Sequence, residues 1–295
     1  MKAPKFERDL TEFLTSIKSV YSYEREKLRL RGNTYPFSKT SKEKIRSFLK
    51  KQTRLLLYWP AKGDSSYLHT LHDEFDDIDI ALALQDKGYF SHYSALFIHG
   101  LSNQVSKVFY LSEEIKNRKS THTSEYNEFF IEQQFMKPPR STTNYCQYKT
   151  TTFYLLEKND NNEIGVETIA LPSIANFLSL DRKIRITSLE RTLIDIVESP
   201  QYSGGILCVV DTFRAVKGKI DLLKLKEYYN KMNFFYPYWQ TIGFLIEKTW
   251  GEEEGNKWMS YFGKPLHEFY LDRKFKLDWD KSEKWQVRFP KGLFE

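Results

Sequence analysis

Apolar residues recur along this chain at two periods, and each change of period marks an element. Phe6, Leu10, Phe13, Leu14 and Ile17 share one helical face, which predicts a helix over residues 6–20. Leu28 and Leu30 then alternate with Lys27, Arg29 and Arg31 up to Gly32, the pattern of a short basic strand or arm entering a turn at Pro36. Hydroxyls at Ser38, Thr40 and Ser41 precede a second amphipathic segment. Its Ile45, Phe48 and Leu49 lie on one side, and Lys42, Lys44, Arg46, Lys50 and Lys51 cover much of the rest. Residues 54–59, closed by Pro60, read as a strand.

Further strands are expected at residues 105–112, 151–158 and 163–172. Residues 116–147 are polar and contain MKPPRSTTN, whose prolines exclude a helix interior, so an extended excursion over the surface is expected there. The last third is helical in pattern. Thr187 is the expected N-cap of a helix with Glu190 three residues on, Leu189, Leu193, Ile196 and Val197 on one face, and Pro200 at the end. The Gly204–Gly205 turn leads to a helix carrying Ile206, Val209, Val210, Phe213 and Val216. Residues 221–232 and 236–251 supply two more, the latter stopped at Gly251, and the aromatic tail over residues 275–294 is expected to pack. These elements predict an α+β chain: a small basic N-terminal, winged-helix-like region over residues 1–60, then a mixed α/β domain over residues 61–295. The helix, arm, helix and strand of the first part make only a partial match to a winged helix-turn-helix.

With 295 residues, 40% of them hydrophobic and 16% aromatic, the chain has core material for one large domain and a small one. No run approaches the roughly 18 apolar residues of a membrane span, and the charged N-terminus lacks a secretory apolar core. A cytoplasmic protein with no membrane partner is the expectation. Cys146 and Cys208 are too far apart in sequence to form a paired metal motif or a disulfide framework, and Cys208 is expected to be a buried thiol. Charge changes the picture more than its net value of +6 suggests. Lys18 to Arg54 holds twelve Lys or Arg against Glu24, Glu26 and Glu43, so a polyanion-facing region precedes a slightly acidic body.

Catalytic chemistry finds little support. Gly63 and Ser65 ahead of Asp77 and Asp79 suggest a nucleotidyltransferase metal site, but Phe75, Ile78 and Leu82 keep helical spacing, and carboxylates at a helix start are favoured by its dipole alone. His69 and His72 lack a third ligand. In GYFSHYSALFIHGL, Ser91 is an expected cap, Tyr93, Leu96, Phe97 and Leu101 an expected inner face, and Gly100 an expected stop. His92 and His99 lie two turns apart, about 10 Å along the axis, too far for one metal or mutual proton transfer. Each is expected to be packed or hydrogen-bonded. Arg191 opposes the dipole of its own helix and is expected to bridge to a neighbour, with Asp195 one turn on as a partner. Neither catalytic residues nor a metal or cofactor site is expected.

Three segments, in order, resemble the AbiEi-type antitoxins of bacterial abortive-infection (phage-defence) systems, a type IV toxin–antitoxin family. They are GYFSHYSALFIHGL followed by KVFYLS, then TSLERTLIDIVESPQYSGGILCVVDTFRA, then YPYWQTIGFLIEK. The resemblance runs from Gly88 to the FPKGLF end, and ERTLID followed by YSGG is its most specific part. It implies a transcriptional regulator with an N-terminal winged helix-turn-helix and a larger antitoxin domain. Such a protein represses its own operon at inverted repeats and neutralises a nucleotidyltransferase-type toxin without a stable complex. It implies no catalytic residue and no cofactor. The motif residues are His92, His99, Glu190, Arg191, Asp195, Gly204 and Gly205. The basic third offers Arg29, Arg31, Lys42, Lys44, Arg46, Lys50, Lys51 and Arg54 to operator DNA. Two other readings stay open: a metal-dependent nucleotidyltransferase using Asp77 and Asp79, and a toxin-binding module without DNA binding.

Overall fold

The structure is a computed structural model. It describes residues 51–70, 75–85, 87–102, 107–116, 128–135, 137–171, 182–272 and 278–295, with positions 5, 7, 8, 11, 20, 21, 47, 48 and 50 ahead of them. The architecture is α+β: among the described residues, eight α-helices accompany a nine-stranded mixed sheet and a three-stranded one. No helix among them is long and apolar enough to cross a membrane.

The large sheet has the order β1-β3-β2-β6-β7-β5-β4-β9-β8. At one edge, β1 (Val20–Tyr21) flanks a hairpin of β2 (Thr53–Trp59) and β3 (Asp64–Thr70). β2 alternates in burial although its sequence from Leu55 onward is a continuous apolar run, with Leu55 and Leu57 buried and Arg54, Leu56 and Tyr58 exposed. It passes the sheet on to β6 (Tyr145–Tyr148), which is antiparallel to β7 (Thr151–Asn159). β7 runs parallel to β5 (Val108–Ile115) along the full length of β5. The short β4 (Tyr89–Phe90) joins β5 to β9 (Arg182–Thr187), and β8 (Val166–Leu171) closes the far edge.

A division after residue 60 does not match this sheet. Pro60–Lys62 is one 3-10 turn inside the β2–β3 hairpin, and β2 pairs with β6, so the cut would split a continuous ladder. Of the helix expected over residues 6–20, positions 7, 8 and 11 are helical, as is position 5 ahead of it, while Val20 is in a strand because its backbone pairs with Thr70. Ser47, Phe48 and Lys50 are helical, with Phe48 buried. The basic arm and the rest of the second amphipathic segment lie outside the described residues, and the winged-helix expectation rests on them.

Helices α1 (Asp77–Leu84) and α2 (His92–Ile98) help bury one core, where Ile80 and Ala95 meet Leu55, Phe109, Phe153 and Ile186. The expected excursion is not structureless. It contains α3 (Glu128–Phe135) and β6, because Phe135 is buried against Phe269 and Tyr270 and anchors an otherwise polar segment. The second core lies among α4 (Leu189–Glu198), α5 (Ile206–Ala215), α6 (Leu222–Met232), α7 (Tyr238–Trp250) and α8 (Glu252–Phe262). The small sheet of β10 (Phe269–Tyr270), β12 (Val287–Pro290) and β11 (Trp279–Ser282) closes it. The tail packs as its pattern predicts, with Trp285 and Val287 fully buried.

Helix α8 has no counterpart among the expected elements. Gly251 ends α7 and at once starts α8, whose first turn holds Glu252, Glu253 and Glu254, the sign that the helix dipole favours. The cap of α4 also differs from expectation. Ser188, not Thr187, accepts the Arg191 amide, while Thr187 ends β9 fully buried with its hydroxyl 2.7 Å from that of Thr192. The helix therefore begins one residue later than the capping-box spacing implied. Cys208 is half-buried rather than interior, and Cys146 is buried.

Candidate functional site

Helix α4 has hydrophobic neighbours on both sides, so every residue from Glu190 to Val197 is buried, including the polar ones. Charges placed there need partners, because an unpaired buried ion is far more costly than a paired one. Arg191 is fully buried and satisfied from three elements. Its Nε donates to Asp195 Oδ1 (3.1 Å), Nη1 to the Ile164 carbonyl (2.6 Å) and Nη2 to the Tyr89 hydroxyl (3.4 Å), and Glu114 Oε1 lies 3.7 Å from Nη1. Glu114 is itself held by the amides of Asn161 and Glu163. Burial works against the Arg191 charge, but Asp195, Tyr89 and Glu114 outweigh it and raise the pKa. Burial drives the Tyr89 phenol well above its ordinary range, so it stays a neutral hydroxyl.

One turn on, Glu198 Oε2 pairs with Lys158 Nζ at 2.5 Å. Burial opposes that ammonium charge too, and Glu198 and Asp195 outweigh it. Beside this pair lies His92, the first residue of α2. It is fully buried and has φ of +52°, the left-handed region that non-glycine residues avoid. Its Nδ1 lies 2.8 Å from Ser91 Oγ, which is 2.7 Å from Ser112 Oγ, and its ring stands edge-on to Tyr202. Ser91 thus begins the helix as expected, but its hydroxyl serves the imidazole rather than a backbone amide. Nε2 of His92 and Oδ2 of Asp195 are buried without a hydrogen-bond partner. One potential ligand atom from each of His92, Asp195 and Glu198 lies within 4.8 Å of the others. Glu198 also lines a cavity of about 200 Å³, together with Arg140, Tyr238, Tyr270 and Asp272.

The other motif residues are structural. His99 Nε2 donates to the Thr187 carbonyl (2.7 Å), tying the end of α2 to the end of β9. Gly204 and Gly205 have φ of +81° and +87°, so the turn into α5 demands two residues without a Cβ. Glu190 holds Lys224 of α6 at 3.0 Å. The buried face of α2 is His92, Ser94, Ala95 and Leu96, whereas Tyr93, Phe97 and Leu101 are half-buried. The polar His92 and Ser94 displace the expected apolar ones because Ser94 Oγ accepts the Tyr110 amide.

Asp77 and Asp79 do not face one another as metal ligands. Asp79 completes a capping box with Asp76, is buried, and pairs with Arg182 at 3.1 Å, while Asp77 accepts from Thr151 at 2.8 Å. Gly63 and Ser65 sit on the exposed β2–β3 hairpin. His69 is a strand residue, buried across the ladder from Arg54, and His72 lies outside the described residues. Of the basic set, Lys50 and Arg54 are exposed and Lys51 pairs with Glu7. Arg29, Arg31, Lys42, Lys44 and Arg46 lie outside the described residues.

Sequence spacing missed Tyr89, Glu114, Lys158 and Glu198, since strands far apart in the chain deliver three of them. A signal was present: Glu113 and Glu114 interrupt an apolar strand, and Glu198 stands one turn after Asp195.

The buried imidazole carries a pH signature. Burial, then Lys158, hold its pKa well below the ordinary 6.5, against the pull of Glu198. Above pH 6.5 the ring is neutral in both folded and unfolded chains. Below it, the unfolded chain takes up a proton that the folded one refuses, so stability falls as pH falls. The expected slope is about 1.4 kcal/mol per pH unit below about pH 6. Urea unfolding of the wild type and His92→Gln at pH 7.5, 6.5 and 5.5 measures it. Identical slopes in the two proteins would refute the assignment.

No family model and no curated protein matches the sequence. The crystal structure of the RV2827C protein from Mycobacterium tuberculosis is similar to this chain over 97% of its length and 92% of that chain's, with a TM-score of 0.52. At 14% identity, what the two share is the fold.

Proposed function

We propose that this protein is the antitoxin of a type IV, abortive-infection toxin–antitoxin system. It acts in the cytoplasm, neutralises a nucleotidyltransferase-type toxin and represses its own operon by binding DNA. The observation that carries the reading is the order of the AbiEi-like segments, above all ERTLID followed by YSGG. The roles of the motif residues support it. Arg191 and Asp195 join in one ion network, His99 ties two elements together, and Gly204–Gly205 make a turn, so these positions maintain a scaffold. Activity then comes from charged surface meeting a partner, not from bond-making chemistry. The exposed Lys50 and Arg54 would contact the DNA, and the sequence adds Arg29, Arg31, Lys42, Lys44 and Arg46, which lie outside the described residues, to the basic set.

The experiment has two arms. The reading requires a nucleotidyltransferase-type gene beside its own, and co-expression with it should restore growth that the toxin alone abolishes. Gel shifts on its own promoter should show binding whose log–log salt slope is near −5, for about six phosphate contacts. Growth arrest that persists on co-expression removes the antitoxin reading. Absence of a shift at low salt removes the operator half and leaves a toxin-directed module.

A further inference from the structure

We infer that His92, Asp195 and Glu198 form a binding site for a divalent transition-metal ion, with zinc the first candidate. The inference goes beyond the antitoxin reading and does not rest on it. Each of the three side chains has one polar atom held by a second residue and another left over. Ser91, backed by Ser112, fixes His92 Nδ1 and leaves Nε2. Arg191 fixes Asp195 Oδ1 and leaves Oδ2. Lys158 holds Glu198 Oε2, and the other carboxylate oxygen remains. Outer partners of this kind set the tautomer and orientation of ligands in metal sites.

The leftover His92 and Asp195 atoms are fully buried and unpartnered, a costly arrangement that a bound cation relieves. One ring nitrogen of His92 and one carboxylate oxygen each of Asp195 and Glu198 lie within 4.8 Å of one another. On a tetrahedral zinc they would stand about 3.3 Å apart, so side-chain adjustments of about an ångström complete the site. One imidazole and two carboxylates suit zinc or manganese better than calcium or magnesium. The left-handed backbone at His92 is strain of the type that collects at ligand sites. Of the three, Glu198 alone also borders the cavity of about 200 Å³, so the site stands behind one wall of that cavity. Three protein ligands leave the fourth tetrahedral position to a water, which describes an exchangeable ion rather than a closed structural one. Lys158 is its internal competitor for Glu198.

The test is titration of chelator-treated full-length protein with zinc by calorimetry and with cobalt by visible absorption, for the wild type, Glu198→Gln and His92→Gln. Glu198→Gln alters a partly exposed side chain, so it keeps the experiment decisive if the His92 variant does not fold. The expected result is one ion per chain, a tetrahedral cobalt spectrum, and affinity lowered by more than about 100-fold in each folded variant, beyond the 10–100-fold loss typical of outer-shell changes. No uptake of either ion by the wild type overturns the inference. So does uptake unchanged in Glu198→Gln, which would place the ion on other side chains.

Discussion

Arg191→Met is expected to destabilise the protein by about 3–5 kcal/mol, the range for removing one partner of a buried ion network. Methionine matches much of the arginine volume, so little of this is cavity. The loss arises because the buried Asp195 and Glu114 carboxylates lose their guanidinium partner, with only the Lys158 ammonium left near Asp195, and the Ile164 carbonyl and Tyr89 hydroxyl lose a donor. Lysine is no substitute, because a single ammonium cannot reach three directions at once. An internal control is available in Arg214, whose pair with Asp211 is half exposed or more on both sides. Arg214→Ala should change stability by no more than about 0.5 kcal/mol. Urea unfolding of both variants decides the matter. A loss below about 1 kcal/mol for Arg191→Met would mean that the network is hydrated rather than closed.

Gly243→Ala should cost about 3 kcal/mol or more, although alanine is the better helix former by about 0.5–1 kcal/mol. Gly243 lies in the interior of α7, and a Cβ there would fall 2.2 Å from Trp285 Cζ3 and 2.6 Å from Trp258 Cδ1. Both indoles are fully buried, and the Trp258 Nε1 hydrogen bond to the Trp239 carbonyl prevents its ring from sliding aside. The substitution therefore pushes α7 away from α8 and from the small sheet together. Thermal and urea unfolding measure the cost. A double-mutant cycle with Trp285→Leu should show that the second change costs less once alanine is present. A neutral or stabilising Gly243→Ala would contradict the close approach.

Legibility from sequence followed periodicity. α4 through α7 were readable because their apolar residues repeat at helical spacing, with Pro200, Gly218 and Gly251 after α4, α5 and α7 and a left-handed Asn233 after α6. β2, β5, β7 and β8 were readable because apolar and aromatic residues cluster between turn signals. α8 was hidden by composition: Glu252, Glu253, Glu254, Asn256 and Lys257 outnumber its inward-facing Trp258. α3 was hidden because the rings that bury Phe135, those of Phe269 and Tyr270, come from the far end of the chain. The bridging role of Arg191 could be expected, since an arginine in the first turn of an apolar helix needs an anion and Asp195 stands one turn away. Glu114 stood out only as a carboxylate in an apolar strand; that it and Lys158 meet α4 could not be expected, because the parallel pairing of β5 and β7 brings them there. His92 reads from sequence as an ordinary packed histidine. Its left-handed backbone and its unanswered Nε2 are tertiary facts with no sequence signature.

The placement of β4 has a consequence for how the chain acquires its shape. Phe90 pairs with Ile186, and β5 pairs in parallel with β7 across the segment holding α3 and β6. Contacts this remote in sequence require large loops to close before any ladder rewards them, which slows folding. During synthesis, β4 and β5 emerge long before β9 exists, so one edge of β4 stays unpaired until most of the polypeptide has left the ribosome. The protein is thus expected to commit to its native sheet late, and to rely on short β4, only two residues long, to limit mispairing in the interval.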